Sequence, residues 1–118
     1  MTASQNDCIF CKIASGQLGV PFVHETEHSV AFRDQSPVAR HHVLVVPKRH
    51  IAGFDEITRE DDALIGDLFE TARSAARELG IEKSGYRIVS NVGPDAGQTV
   101  FHLHLHILGG EHLGRFGA

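Results

Sequence analysis

The sequence predicts an α+β domain built on an antiparallel sheet, and three observations carry that expectation. The elements run helix, three strands, helix, two strands, with no βαβα alternation of the kind that builds a parallel sheet. Residues 43–46 are continuously aliphatic, as in a strand buried on both faces. Residues 101–107 alternate apolar side chains with histidines, the period-two pattern of a strand.

The elements follow in order. Residues 1–7 are polar and read as a tail. Asp7 is placed to cap a short helix over 8–14, with Ile9, Phe10 and Ile13 at helical spacing and Gly16 as the stop. Strands are expected at 21–25, where the leading Pro21 suits an edge, at 28–33, and at 43–46, which Pro47 ends. The one long helix spans 59–79. Thr58 caps it, Asp61 stands three residues on as in a capping box, and Glu60, Asp61 and Asp62 sit at its positive end. Leu64, Ile65, Leu68, Phe69, Ala72, Ala75, Ala76 and Leu79 recur at spacings of three and four, and Gly80 is the left-handed stop. Strands at 86–92 and 100–108 follow, separated by the turn-rich run from Gly93 to Gly97. The last residues, 111–118, form a tail. The whole chain, 1–118, reads as a single domain.

Composition narrows the function. A formal net charge of −4 argues against a broad basic face for nucleic acid. No apolar run is long enough to span a membrane, and the N-terminal residues have no secretory apolar core. Two cysteines three apart make no disulfide framework, so the chain reads as cytoplasmic.

Chemistry concentrates in the last strand. Alternation puts His102, His104 and His106 on one face, with Phe101, Leu103, Leu105 and Ile107 pointing into the core from the other. Three imidazoles in a row suit either a catalytic metal or a nucleophile whose neighbours handle protons and phosphate charge. The preceding Gly97-Gln98-Thr99 favours the second. Glycine permits close backbone approach, and the amide and hydroxyl offer donors to a phosphate oxygen and a leaving group. At the other end of the chain, Cys8-Ile9-Phe10-Cys11 is a CxxC at a helix start. By itself it is equally a redox pair, half of a zinc site or two buried thiols, although no thioredoxin-like βαβ pattern accompanies it.

The run His102-Leu103-His104-Leu105-His106-Ile107-Leu108 resembles the signature of the histidine triad (HIT) superfamily. Ile9-Phe10-Cys11-Lys12-Ile13, Phe32-Arg33-Asp34-Gln35-Ser36-Pro37, Val43-Leu44-Val45-Val46-Pro47-Lys48 and Gly97-Gln98-Thr99-Val100-Phe101 are similar to its Hint branch. The resemblance implies a five-stranded antiparallel sheet with two helices, and a homodimer whose sheets join. It implies cleavage of adenosine 5'-phosphoramidates or aminoacyl adenylates through a covalent histidine–AMP intermediate. The alternatives are a dinucleoside polyphosphate hydrolase and a nucleotide-binding regulatory or scaffold protein.

Carried over by position, the resemblance makes His104 the nucleophile, and His106 the group that neutralises phosphate charge. His42 supports the imidazole row, and Thr99, where relatives often have Ser, reaches the leaving group. Asn91, Gly97 and Gln98 fall near the phosphate, Asp34 at the ribose hydroxyls, and Ile9 and Phe10 at the base. Gln35 replaces a more usual apolar residue beside the base. The tail lacks the Trp often found there, with Phe116 as the apolar substitute. The resemblance further implies a structural zinc on Cys8, Cys11, His50 and His102, with no cofactor in the chemical step. His24, His28, His41 and His112 are read as surface or structural.

Overall fold

The structure, a computed structural model, describes residues 7–115. Residues 1–6 of the expected tail over 1–7, and Phe116, lie outside the described residues. Helix α1 is Ile9–Ala14, and its N-cap is Cys8, whose sulfur accepts from the Cys11 backbone N–H at 3.4 Å. This corrects the expected Asp7 cap: the thiol already occupies the capping position. Strands β1 (His24–Glu25), β2 (Ser29–Arg33) and β3 (His41–Pro47) come next, then helix α2 (Asp62–Glu78) and strands β4 (Tyr86–Val89) and β5 (Leu105–Gly109). They form one sheet in the order β1-β2-β3-β5-β4, antiparallel at every pairing, which is the expected α+β class.

The sheet has two apolar faces because β2 and β3 are apolar at successive positions. Ala31, Val43 and Val45 meet Leu68, Ala72, Ala75 and Ala76 of α2. Their chain neighbours Val30, Phe32, Leu44 and Val46 meet Phe10, Ile13 and Ala14 of α1. Residues 43–46 of β3 are therefore buried on both sides, as the sequence implied. Thr58 and Asp61 make the reciprocal capping box, but they cap a single 3-10 turn, Arg59–Asp61, that leads into α2. Arg49 pairs with Asp61. A polar tie that sequence reading missed fastens α2 to the β1–β2 turn. Asp67 Oδ2 accepts from the hydroxyls of Thr26 at 2.7 Å and Ser29 at 2.8 Å, and Thr71 donates in turn to Ser29 at 2.6 Å.

Three strands are shorter than expected: of residues 21–25 only His24–Glu25 join the ladder, as β1, and β4 and β5 are cut as well. β4 stops at Val89, and β5 begins only at Leu105, so residues 100–104 run beside the sheet outside its ladder. Leu103 still donates its N–H to Ile51 O and stays in the core. Phe101, expected in the core, is 49% exposed, because strict alternation does not hold where the chain has left the ladder.

Candidate active site

On the α1 side of the sheet lies a cleft of about 360 Å³. Ile9, Phe10 and Ile13 from α1, Val20, and Phe32 and Leu44 from the sheet form its apolar wall. Arg33, Asp34, Gln35, Ser36, Thr99, His104 and His106 supply the polar groups. The wall exists because α1 is too short to cover the sheet face it packs against. Phe10 is buried between Phe32, at 5.7 Å between ring centroids, and His104, at 5.0 Å, both edge to face.

The hydrogen bonds assign each imidazole its tautomer. The Val38 backbone N–H can only donate, and it donates to His42 Nδ1 at 3.1 Å. Neutral His42 therefore carries its proton on Nε2 and donates it to His106 Nδ1 at 2.9 Å. That leaves His106 with its proton on Nε2, as a donor. His104 donates from Nδ1 to the His102 carbonyl at 2.7 Å, which leaves its Nε2 lone pair open. Two histidines two residues apart thus have opposite roles, one a base or nucleophile and one a donor. Burial is the main reason His42, His104 and His106 are all held below the ordinary histidine range, His106 at about 4 with His104 and His42 beside it adding to the effect. Asp34 opposes the shift in each case.

Asp34 has two tasks. Its Oδ1 accepts from the Ser36 backbone N–H at 2.7 Å, closing the turn, while Oδ2 lies 3.5 Å from His42 Nε2. Asp34, His42 and His106 are close enough to be considered as metal ligands. The ring geometry speaks for a proton instead. The His42 and His106 centroids are 5.2 Å apart, the sum of a 2.9 Å in-line contact and two ring radii, so the facing nitrogens point at each other and not at a shared third point.

A second cluster sits behind Phe10. His102 is fully buried and donates from Nε2 to Pro47 O at 2.8 Å, so its Nδ1 lone pair faces the sulfurs of Cys8 at 3.2 Å and Cys11 at 3.5 Å. His50 Nδ1 lies 3.3 Å from Cys11 Sγ. The four donor atoms all lie within 4.8 Å of one another. A tetrahedral zinc with two sulfur and two nitrogen ligands has sulfur–nitrogen edges of about 3.5 Å, so the donor set fits. The Pro47 carbonyl supplies the outer partner that orients a ligating imidazole. Burial and the neighbouring Cys8 push the Cys11 thiol up to about 11, and burial pushes His102 down to about 4.

The structure thus gathers Ile9, Phe10, Asp34, Thr99, His104 and His106 at one cleft, with His42 bonded to His106 outside its lining, and Cys8, Cys11, His50 and His102 in a second cluster. Asn91, Gly97 and Gln98 do not line the cleft. The Gln98 amide is spent on the loop around it, accepting from Gly93 N–H and donating to the carbonyls of Ala52 and Val100. Gly97 has a φ of +87°, the left-handed conformation that ends the turn before Gln98. Sequence reading gave no role to Phe32 or Val20, nor to the Val38 backbone. Phe32 was legible from alternation with Val30 across β2; a backbone donor leaves no sequence signal.

The family model described as the HIT domain matches residues 17–113. A HIT-like protein of Synechococcus elongatus is 46% identical over 107 residues, which cover 91% of this chain and 93% of that protein. A HIT family hydrolase from Clostridium thermocellum superposes with a TM-score of 0.90 at 42% identity, covering 95% of this chain and 97% of the other. A HIT family hydrolase from Legionella pneumophila gives a TM-score of 0.90 at 38% identity, covering 95% of this chain and all of that one. With the fold, the imidazole row and these likenesses in agreement, the chain belongs to the HIT domain family.

Proposed function

We propose that the protein is a hydrolase of purine nucleotide conjugates, of the Hint type, cleaving the P–N bond of adenosine 5'-phosphoramidates or the mixed anhydride of aminoacyl adenylates. The observation that carries this reading is the bond from His104 Nδ1 to the His102 carbonyl, which leaves Nε2 as a free lone pair on a ring that lines the cleft. In the proposed reaction Nε2 attacks the α-phosphorus, and the bond from phosphorus to the leaving nitrogen or oxygen breaks. The leaving group takes a proton, with the Thr99 hydroxyl and His106 Nε2–H as the nearby donors. Water then attacks the same phosphorus, gives its proton to the group that had lost one, and breaks the histidine–phosphorus bond, which releases AMP and restores His104. His106 donates to the non-bridging oxygens as charge builds, and its own proton is held in place through His42 and Val38. Asp34 receives the ribose hydroxyls, and the base slides between Ile9, Phe10 and Phe32.

The Cys8, Cys11, His50 and His102 set would hold a zinc ion that ties α1 to the sheet; bound there, it supplies structure and no step of the reaction. Reduced thiols suit a cytoplasmic setting, and among the described residues no helix is long and apolar enough to cross a membrane. We further propose a homodimer in which α2 and the sheet edge at β4 meet their counterparts. Phe69 on α2 and Ile88 on β4 support this as exposed large apolar side chains, at 43% and 40%.

The test is incubation with an AMP–amine conjugate. Wild-type protein should release AMP, and a trapped His104–AMP adduct should appear by mass spectrometry. Turnover that survives His104→Ala and stops at once on adding chelator would overturn the reading in favour of a metal hydrolase.

A further inference from the structure

We infer that the Cys8–Cys11–His50–His102 centre and the nucleotide cleft are thermodynamically coupled, with His102 and Phe10 as the positioning residues that connect them; this rests on the nucleotide reading above. The two sites share parts. His102 turns its ring nitrogen towards the sulfurs of Cys8 and Cys11 and offers its carbonyl to His104 Nδ1. Phe10 lies between the two cysteines in sequence, and its ring meets His102 at 6.0 Å and His104 at 5.0 Å.

What holds these parts in place is sparse. Residue 102 lies outside the sheet ladder, so no strand pairing fixes its carbonyl. The neighbouring Leu103 N–H to Ile51 O bond and the His102 ring bond to Pro47 O are its local anchors. Helix α1 has six residues, too few to be stable by itself, and depends on what it packs against. The chain's own links from the helix start to His102 and His50 are sulfur–imidazole contacts of 3.2 to 3.5 Å, and a thiol is a weak donor. Bonds from one ion to both sulfurs and both rings would replace those weak links. They would fix the Phe10 wall and the His102 carbonyl before nucleotide arrives. Nucleotide wedged against Phe10 and His104 would in turn hold the four donors together. Coupling between two ligands must be reciprocal.

The experiment measures both directions. AMP is titrated calorimetrically into zinc-loaded protein and into protein stripped with chelator. Zinc affinity is measured by competition with a chromophoric chelator, with and without saturating AMP. AMP affinity should fall by about fivefold or more on stripping, and zinc affinity should rise by the same factor when AMP is present. Phe10→Ala, measured at AMP concentrations that saturate its own weakened cleft, should have the same zinc affinity with and without AMP, a result that mere stabilisation of the fold by zinc does not give. Should the stripped chain unfold, His50→Ala is read instead, at zinc concentrations where its circular dichroism is native, since His50 lies outside the cleft and touches His102. Its AMP affinity should be weak at low zinc and recover as zinc is raised. Equal AMP affinity with and without zinc in folded protein, or zinc-independent affinity in His50→Ala, overturns the coupling and leaves the nucleotide reading intact. Failure of the zinc-loaded protein to bind AMP overturns both, and failure to bind zinc overturns the centre and the coupling with it.

Discussion

His104 and His106 are two residues apart, yet only one presents a lone pair to the cleft, and that asymmetry sets the expected mutant behaviour. His104→Ala should keep AMP binding through Asp34 and the Phe10 wall while turnover falls by about a thousandfold, as loss of a nucleophile does. His106→Asn should cost less, about ten- to a hundredfold in kcat, because a charge-stabilising donor is weakened and the attacking atom remains. Steady-state kinetics beside AMP calorimetry separates the two; equal losses would remove the distinction between the roles. His106 also sets an acid limit. Its folded-state pKa is about 4, below the ordinary value, so between about 4 and about 6.5 the unfolded chain binds more protons than the folded one. Stability should therefore be complete above that window and fall as pH drops through it. Melting curves from pH 4 to 8 should show the slope, and His106→Asn should reduce it. The imidazole row was legible from its x-His-x-His-x-His spacing, although only His106 of the three lies on the strand itself. Gln98 was not, since its amide finds its partners in loop atoms, the Gly93 N–H and two carbonyls, that no spacing announces.

The elements divide by how local their causes are. The capping box at Thr58 and Asp61, the stop at Gly80 with its φ of +73°, and the all-apolar β3 were all readable, because each depends on residues a few positions apart. The ends of β4 and β5 were not, because a strand ends where its partner does. Tyr86–Val89 pairs with His106–Gly109, and residues 100–104 have no ladder partner. Two substitutions test the helix. Leu68→Ala, at a side chain 1% exposed between α2 and the sheet, should cost about 2–5 kcal/mol by denaturant titration. Thr58→Ala should cost about 1 kcal/mol, and a null effect would mean that the 3-10 turn holds without its cap.

For the whole molecule, sheet order bears on assembly. One edge, β1, is two residues long, whereas β4 at the other edge has four residues with one side unpaired, so sheet continuation falls to β4. Light scattering should give twice the 12.9 kDa chain mass at micromolar concentration, and Phe69→Glu should shift it towards the monomer. A monomer mass for the unaltered chain would remove the dimer. Metal analysis of gently purified protein should find one zinc per chain, lost in Cys11→Ala together with part of the thermal stability. Sheet order also governs timing. β3 pairs with β5, so His42 meets His106 only after 64 positions of intervening chain are in hand, and Cys8 meets His102 only after 94. On the ribosome the N-terminal half emerges with His42, both cysteines and His50, but without His102, His104 or His106. The proposed chemistry would therefore stay silent in a nascent chain until its last strand is free to pair, when the cleft and the four-donor cluster are completed together in a long-range step of folding.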